Sequence, residues 1–94
     1  MIKHIVCFKL KEGEDVNKAK EVLLSMKGNV PLIRDIEVGV DILHSERSYD
    51  LILSVVLDDM KALEEYQNDP YHVSVVKTHM HKVRSASVAI DFEI

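Results

Sequence analysis

The sequence is poor in the residues on which several common kinds of protein depend. It has one cysteine, Cys7, so an internal disulfide is excluded, and the apolar neighbours of Cys7 favour a small buried side chain over a reactive thiol. Glycine occurs only three times, and no glycine-rich phosphate loop, nucleophile elbow or cysteine pair with zinc spacing is present. We therefore expect no cofactor and no metal site.

Long apolar runs and basic clusters are missing as well. No apolar run approaches the ~18 residues of a membrane-spanning helix, and Met1 leads directly into a strand pattern without signal-peptide architecture. The formal net charge is −4 and the lysines and arginines are scattered, which removes the basic footprint that a phosphate backbone requires. We expect a cytoplasmic protein that binds neither membrane nor nucleic acid.

What is present is the composition of a small folded unit. The 94 residues are 47% hydrophobic and 30% charged, which argues against disorder and allows a modest core. No internal repeat, low-complexity segment or linker divides the chain. We expect a single domain over residues 1–94.

Hydrophobic periodicity predicts four strands and two helical regions. The strands are residues 2–10, 36–42, 50–57 and 88–94. The first and third strands are apolar on nearly both faces, as central strands are, whereas the second alternates as a half-buried edge strand does. Asp15 is the predicted N-cap of a helix that Gly28 closes, and Asp58 and Asp59 cap a second region that Pro70 divides. The predicted inward stripe of that region is Met60, Leu63, Tyr66, Val73, Val76, Met80 and Val83.

The order βαββαβ predicts an α+β, ferredoxin-like fold. Right-handed crossovers place the first and third strands in the middle of a four-stranded antiparallel sheet, with both helical regions on one face. Ile5 and Cys7 then point away from the helices and need a cover. Because contiguous exposed apolar patches mark interfaces, we predict a homodimer that packs sheet to sheet.

Three polar side chains are the best indication of function. Tyr66 and His72 lie on either side of Asp69-Pro70, where one helix ends and another begins, and His4 lies within the apolar first strand. At the third position of a helix, the positive end of the helix dipole favours neutral His72, which can accept a proton, while Tyr66 can donate to a developing enolate oxygen. His4 can orient the ligand or a second carbonyl.

Other interpretations of these residues remain open. The three side chains can form a purely structural network, with the Tyr66 hydroxyl on a backbone carbonyl, His72 as a helix cap and His4 hydrogen-bonded to Tyr66. A metal site at His79 and His81 is not expected, because positions i and i+2 of a helix diverge by ~200°.

Five segments together carry a family resemblance. They are Met1-Ile2-Lys3-His4-Ile5-Val6 with Phe8-Lys9-Leu10, Asp35-Ile36-Glu37-Val38-Gly39, Tyr49-Asp50-Leu51, Tyr66-x-x-x-Pro70-x-His72, and the closing Asp91-Phe92. The combination resembles the stress-responsive A/B barrel domain family, or Dabb proteins, over nearly the whole chain. The resemblance implies a ferredoxin-like subunit and a dimeric α/β barrel.

One branch of that family, the olivetolic acid cyclases, implies a role for the three polar residues. These enzymes close a linear polyketide by an intramolecular aldol step, with a Tyr and a His at the positions of Tyr66 and His72 and a further His at His4. The same correspondence implies a small apolar pocket lined by Val6, Phe8, Leu23, Ile36, Leu53 and Val76. The cyclase helices carry bulky aromatics where this chain has Ala19, Leu23, Val75, Val76 and Val83, so a different or smaller ligand is expected.

Two functions follow as hypotheses. The first is a homodimer that binds or transforms a small carbonyl compound, with Tyr66, His72 and His4 as acid-base groups and no cofactor. The second is a non-catalytic dimer that binds a small apolar ligand or has a structural role in the stress response.

Overall fold

The four strands form one antiparallel sheet in the order β2-β3-β1-β4, in a computed structural model that describes residues 1–94. The strands are β1 (Ile2–Leu10), β2 (Asp35–Val40), β3 (Leu51–Leu57) and β4 (Arg84–Glu93). The predicted ferredoxin-like arrangement is confirmed, because the two strands that are apolar on nearly both faces lie in the middle. Ile42 is an exception to the predicted strand: β2 ends at Val40, and Ile42 is exposed in the following turn.

The first helix, α1 (Val16–Leu24), begins where the sequence predicts. The side chain of Asp15 accepts hydrogen bonds from the backbone N–H groups of Asn17 and Lys18, as an N-cap does. The helix ends at Leu24, earlier than predicted, and the chain turns through residues 25–29 before β2. Gly28 lies in this turn with φ +83°, a backbone conformation that favours glycine.

The second helical region is divided at Pro70, as predicted. The helix α2 (Met60–Gln67) starts with the side chain of Asp59 accepting from Ala62 N. The helical backbone resumes at Pro70, widens into a π-helical segment (His72–Lys77) and continues as α3 (Thr78–Val83). The side chain of Asp69 caps this second helix, because its Oδ1 accepts from the N–H groups of Tyr71 and His72 at 2.9 and 3.0 Å.

The core lies between the helices and the face of the sheet that carries His4 and Phe8. The predicted inward stripe is wrong at two of its residues, which are exposed. Met60 is 61% exposed because it is the first residue of α2, and Val73 is 43% exposed because the inward position is taken by its neighbour His72. No helix has the length and apolar character needed to cross a bilayer.

The opposite face of the sheet, here called the outer face, has no helix over it. Its apolar residues include Ile5, Cys7, Ile52, Val88, Ile90 and Phe92. They lie on three adjacent strands, because Cys7 of β1 is paired with Ile52 on β3 and with Val88 on β4. Val88 and Ile90 are 52% and 62% exposed, so the outer face presents a contiguous apolar surface to solvent.

Candidate functional site

A cavity of about 230 Å³ lies between the sheet and the helix that begins at Pro70. Five of the six apolar residues implied by the family resemblance line it: Val6, Phe8, Leu23, Leu53 and Val76. The sixth, Ile36, does not, because it lies on the edge strand β2 beneath α1, two strands away from β1. His4, Tyr66 and His72 are brought together on this one cavity.

Tyr66 occupies the centre of the site and is fully buried. Its ring stacks on the ring of His72, with centroids 4.3 Å apart, and meets the ring of His4 edge-on at 5.7 Å. Its hydroxyl donates to the thioether sulfur of Met26 at 3.7 Å, a weak acceptor, rather than to a backbone carbonyl. Burial raises the pKa of the Tyr66 hydroxyl above its ordinary value of 10.0, with a smaller contribution from the charge of Asp69. The phenol is therefore a proton donor at neutral pH.

His72 is held in one tautomer by its surroundings. Its Nδ1 lies 2.9 Å from the backbone carbonyl oxygen of Tyr66, and because a carbonyl can only accept, Nδ1 carries the proton. The Nε2 atom is then an unprotonated acceptor, and no protein atom hydrogen-bonds to it. Burial lowers the pKa of His72 below its ordinary 6.5, against the opposing effect of the hydrogen bond to Tyr66. A neutral, basic imidazole is the result.

His4 has a different partner from the one that the structural interpretation of the sequence gave it. It does not hydrogen-bond to Tyr66; its Nδ1 donates to Oδ1 of Asp91. The pairing of β1 with β4 sets His4 directly opposite Asp91, so the contact follows from the register of the sheet. The hydrogen bond fixes the ring and leaves Nε2 without a protein partner.

Comparison with known proteins gives the family. Residues 2–94 match the profile of the stress-responsive A/B barrel domain, Dabb, and so nearly the whole chain is covered. The chain belongs to the Dabb family. No curated protein matches the sequence.

Solved structures of similar proteins share the fold of this Dabb domain. A dimeric protein of ferredoxin-like fold from Bacteroides fragilis is 25% identical, with a TM-score of 0.79 over 99% of this chain and 95% of the other. A protein from Arabidopsis thaliana is 20% identical, with a TM-score of 0.84 over 100% and 95% of the two chains. The hydroxynitrile lyase of Passiflora edulis is 11% identical, with a TM-score of 0.81 over 99% and 92%.

The geometry of the Dabb cavity restricts what its polar groups can do. Tyr66 and His72 do not hydrogen-bond to each other through their side chains, since their rings are stacked. A molecule placed in the cavity would have to contact each group separately. The volume of 230 Å³ lies below the roughly 300 Å³ at which most small-molecule sites begin, so the cavity suits a small ligand.

The structure adds a polar mouth that the sequence analysis did not identify. It consists of Gln67, Lys77, His81, Arg84 and Ser87, which line the cavity where it meets solvent. Lys77 was missed because, on a regular α-helix, its side chain would point away from the side that carries His72. Arg84 was missed because it lies at the junction of α3 with β4, where neither the helical nor the strand periodicity of apolar residues applies. Asp91 was also missed as a partner of His4, because the predicted strand order does not give the register that sets the two residues opposite each other.

Proposed function

We propose that this Dabb protein is a homodimer whose cavity binds a small carbonyl compound and transforms it by acid-base catalysis, with His72 as the base and Tyr66 as the acid. One observation carries the proposal. The Nδ1 proton of His72 is committed to the carbonyl of Tyr66, so the free Nε2 is a neutral base in an apolar cavity beside a protonated phenol.

The proposed reaction is the closure of a dicarbonyl compound by an intramolecular aldol step. His72 Nε2 takes a proton from a carbon next to one carbonyl, and the electron pair moves onto that carbonyl's oxygen, which Tyr66 hydrogen-bonds; the second carbonyl lies farther along the substrate chain. The enolate carbon then attacks the second carbonyl, forming one carbon–carbon bond, and the resulting alkoxide recovers the proton from His72. Substrate and product have the same atoms, so no oxidant or reductant is consumed.

His4 and Asp91 have a positioning role in this scheme. The carboxylate of Asp91 fixes the tautomer of His4, which lines the same cavity and keeps Nε2 without a protein partner. A second carbonyl placed against His4 would lie in the same cavity as His72, since both imidazoles contact the Tyr66 ring and line that cavity. Ring closure requires the nucleophilic carbon and the second carbonyl to be held close together, and contacts with Tyr66, His72 and His4 in one cavity would do this.

The homodimer is supported by the outer face. Phe92 and Ile52 are 40% and 37% exposed there, beside the more exposed Val88 and Ile90, and no other part of the chain covers them. Sheet-to-sheet packing of two copies would bury these side chains without touching the cavity, which lies on the opposite face of the sheet. The related protein from Bacteroides fragilis is described as dimeric, which agrees with this arrangement.

Proton exchange tests the catalytic part without knowledge of the natural substrate. In D₂O, a base in the cavity exchanges the acidic C–H protons of acetylacetone or an aryl methyl ketone for deuterium, and NMR follows the loss of signal. We expect the wild-type protein to accelerate exchange, His72→Gln to abolish the acceleration, and Tyr66→Phe to reduce it by roughly a hundredfold. Acceleration that both variants retain in full means that another group is the base.

Binding without turnover is a second candidate, and one contact favours it. The hydroxyl of Tyr66 donates to the sulfur of Met26, so its O–H bond has to rotate away from that sulfur before it can donate to a bound carbonyl. A protein that only binds would show NMR shifts at Tyr66 and His72 when acetylacetone or an aryl ketone is added. It would not accelerate exchange of the ketone's C–H protons. The same experiment therefore separates the two functions.

A further inference from the structure

The cavity differs in charge from the protein as a whole. The chain has 16 acidic and 12 basic residues, yet the cavity is lined by Lys77 and Arg84 and by no aspartate or glutamate. Two carboxylates border the site, and both are engaged: Asp91 accepts from His4, and Asp69 caps the backbone at Tyr71 and His72. The cavity thus offers positive charge to a ligand in an otherwise acidic protein.

Neither cation of the mouth has an ionic partner. The ion pairs of the chain are His4 with Asp91, Arg34 with Asp58 and His44 with Asp41. Lys77 Nζ donates to the backbone carbonyl of Gln67, and Arg84 Nη1 donates to the hydroxyl of Ser87, each at 2.8 Å. Both contacts are with neutral acceptors, and a lysine with three donors and an arginine with five retain most of their capacity for an anion.

The π-helical segment brings Lys77 to this position. In an α-helix, residues five apart point roughly 140° away from each other, since each residue turns the helix by about 100°. In a π-helix the hydrogen bonds join residues i and i+5, so His72 and Lys77 stand one turn apart on the same side. The wide turn therefore sets a cation directly along the cavity wall from the proposed base.

We infer that the ligand carries a carboxylate as well as a carbonyl, and that Lys77 and Arg84 bind the carboxylate at the mouth while Tyr66 and His72 contact the carbonyl inside. This inference rests on the proposed function, because it names the substrate class of the same cavity. The buried half of the site is apolar apart from Tyr66 and the histidines, so a charged group gains most at the half-exposed mouth. Because the inner part of the cavity is apolar and its mouth is positively charged, the carbonyl end of an oxo acid enters first and the carboxylate stays at the mouth.

Three probes of nearly equal size test the assignment. They are 3-acetylbenzoate, its neutral amide 3-acetylbenzamide, and 3-ethylbenzoate, which keeps the carboxylate but lacks the carbonyl. Calorimetric and NMR titrations of the whole chain give affinities, with Tyr66 and His72 as reporters of cavity occupancy. We expect the acid to bind about tenfold more tightly than the amide, because charge-assisted hydrogen bonds are roughly twice as strong as neutral ones, and the acid's advantage to shrink as salt is raised.

Neutralising each cation tests the assignment of residues. Lys77→Gln and Arg84→Gln each retain a donor for the existing neutral contact but remove a charge, and each should lower the acid-to-amide affinity ratio at least threefold. Lys82→Gln is the matched control, since Lys82 is an exposed lysine of α3 that does not line the cavity. The ratio compares two ligands on one variant, so a general loss of stability does not move it.

The outcomes separate the inference from the proposed function. Equal affinity for acid and amide, or a ratio that Lys82→Gln lowers as much as Lys77→Gln and Arg84→Gln do, overturns the anion site but leaves the carbonyl site standing. Equal affinity for 3-acetylbenzoate and 3-ethylbenzoate, with the acid still preferred over the amide, keeps the anion site and overturns the contact of the carbonyl with Tyr66 and His72. Absence of binding by all three probes overturns both.

Discussion

The imidazole of His72 donates a hydrogen bond to the backbone carbonyl of Tyr66 while its ring stacks on the side chain of the same residue, with centroids 4.3 Å apart. One residue thus fixes both the tautomer and the orientation of the other. The bend at Asp69-Pro70 makes this possible, because it folds the start of the second helix back over the last turn of α2.

The first prediction concerns the protonation of His72. Nitrogen-detected NMR should show the Nδ1–H tautomer at neutral pH, and the titration midpoint should lie below 6.5, since burial lowers the pKa of this imidazole. Because the folded-state pKa is below the unfolded value, the unfolded chain takes up the proton first as pH falls. Stability from this group is therefore complete above about pH 6.5 and is lost as the pH falls toward the folded-state pKa. A midpoint above 6.5 contradicts this account.

The second prediction concerns the Tyr66 hydroxyl. Tyr66→Phe should cost less than about 1 kcal/mol near neutral pH, because the hydroxyl contacts only a thioether sulfur at 3.7 Å. Tyr66→Ala should cost roughly 3–5 kcal/mol through the cavity it leaves. Urea denaturation measures both free energies of unfolding.

The same hydroxyl also predicts how the stability of the protein changes at alkaline pH. The pKa of Tyr66 is raised by burial, so the unfolded chain loses this proton first when the pH exceeds the ordinary value of 10.0. Wild-type stability should fall above that pH by more than the stability of Tyr66→Phe does. Parallel pH profiles for the two proteins would show that the phenol is not buried in solution.

Much of the fold could be predicted from the sequence because strand parity and helix caps are local signals. Residues 2–10 and 51–57 are apolar on nearly both faces, and a strand with that pattern has to lie between two others. Asp15 and Asp59 identify the helix starts in the same local way. The proximity of Tyr66 and His72 follows from the proline between them.

The rest of the site depends on features that no local pattern contains. Lys77 reaches the cavity only because the helix widens to a π-turn, which the sequence analysis treated as regular helix. Ile36 was assigned to the pocket through the family resemblance, yet the width of the sheet separates β2 from the cavity. The contact of His4 with Asp91 depends on register between the first and last strands, which is a long-range property.

The third prediction tests the positioning role of Asp91. Asp91→Asn keeps the shape of the side chain but offers the Nδ1 proton of His4 an amide in place of a carboxylate. We expect the tautomer preference of His4 to weaken in NMR spectra and ketone proton exchange to slow about tenfold. The side chain of Asp91 is 36% exposed, so the fold should persist. Unchanged exchange with an altered His4 tautomer would remove His4 from the mechanism.

The fourth prediction tests the homodimer. Ile90→Asp places a charge among the apolar side chains of the outer face, beside Ile5, and a charge that must be buried without a partner prevents association. Light scattering should give twice the 10.7 kDa of the chain for the wild type and a single chain for the variant. Met60→Asp is a matched control, because Met60 is 61% exposed on α2 against 62% for Ile90 on the outer face. A wild-type protein that stays monomeric at micromolar concentration refutes the proposed dimer.

The fifth prediction separates occupancy of the cavity from stability of the fold. Ala89 lines the cavity from the edge strand β4, opposite Val6, and is exposed, so a larger side chain can enter the cavity without displacing the core. Phenylalanine also suits a strand position, which limits the effect of Ala89→Phe on unfolding to roughly 1 kcal/mol. The added ring occupies a substantial part of the 230 Å³, and we expect probe binding and proton exchange to fall together by at least tenfold. Ala89→Ser, which adds one oxygen atom, should leave both near the wild-type level. If Ala89→Phe binds and exchanges ketones as the wild type does, the reaction takes place outside this cavity, and the roles given to Tyr66 and His72 are wrong.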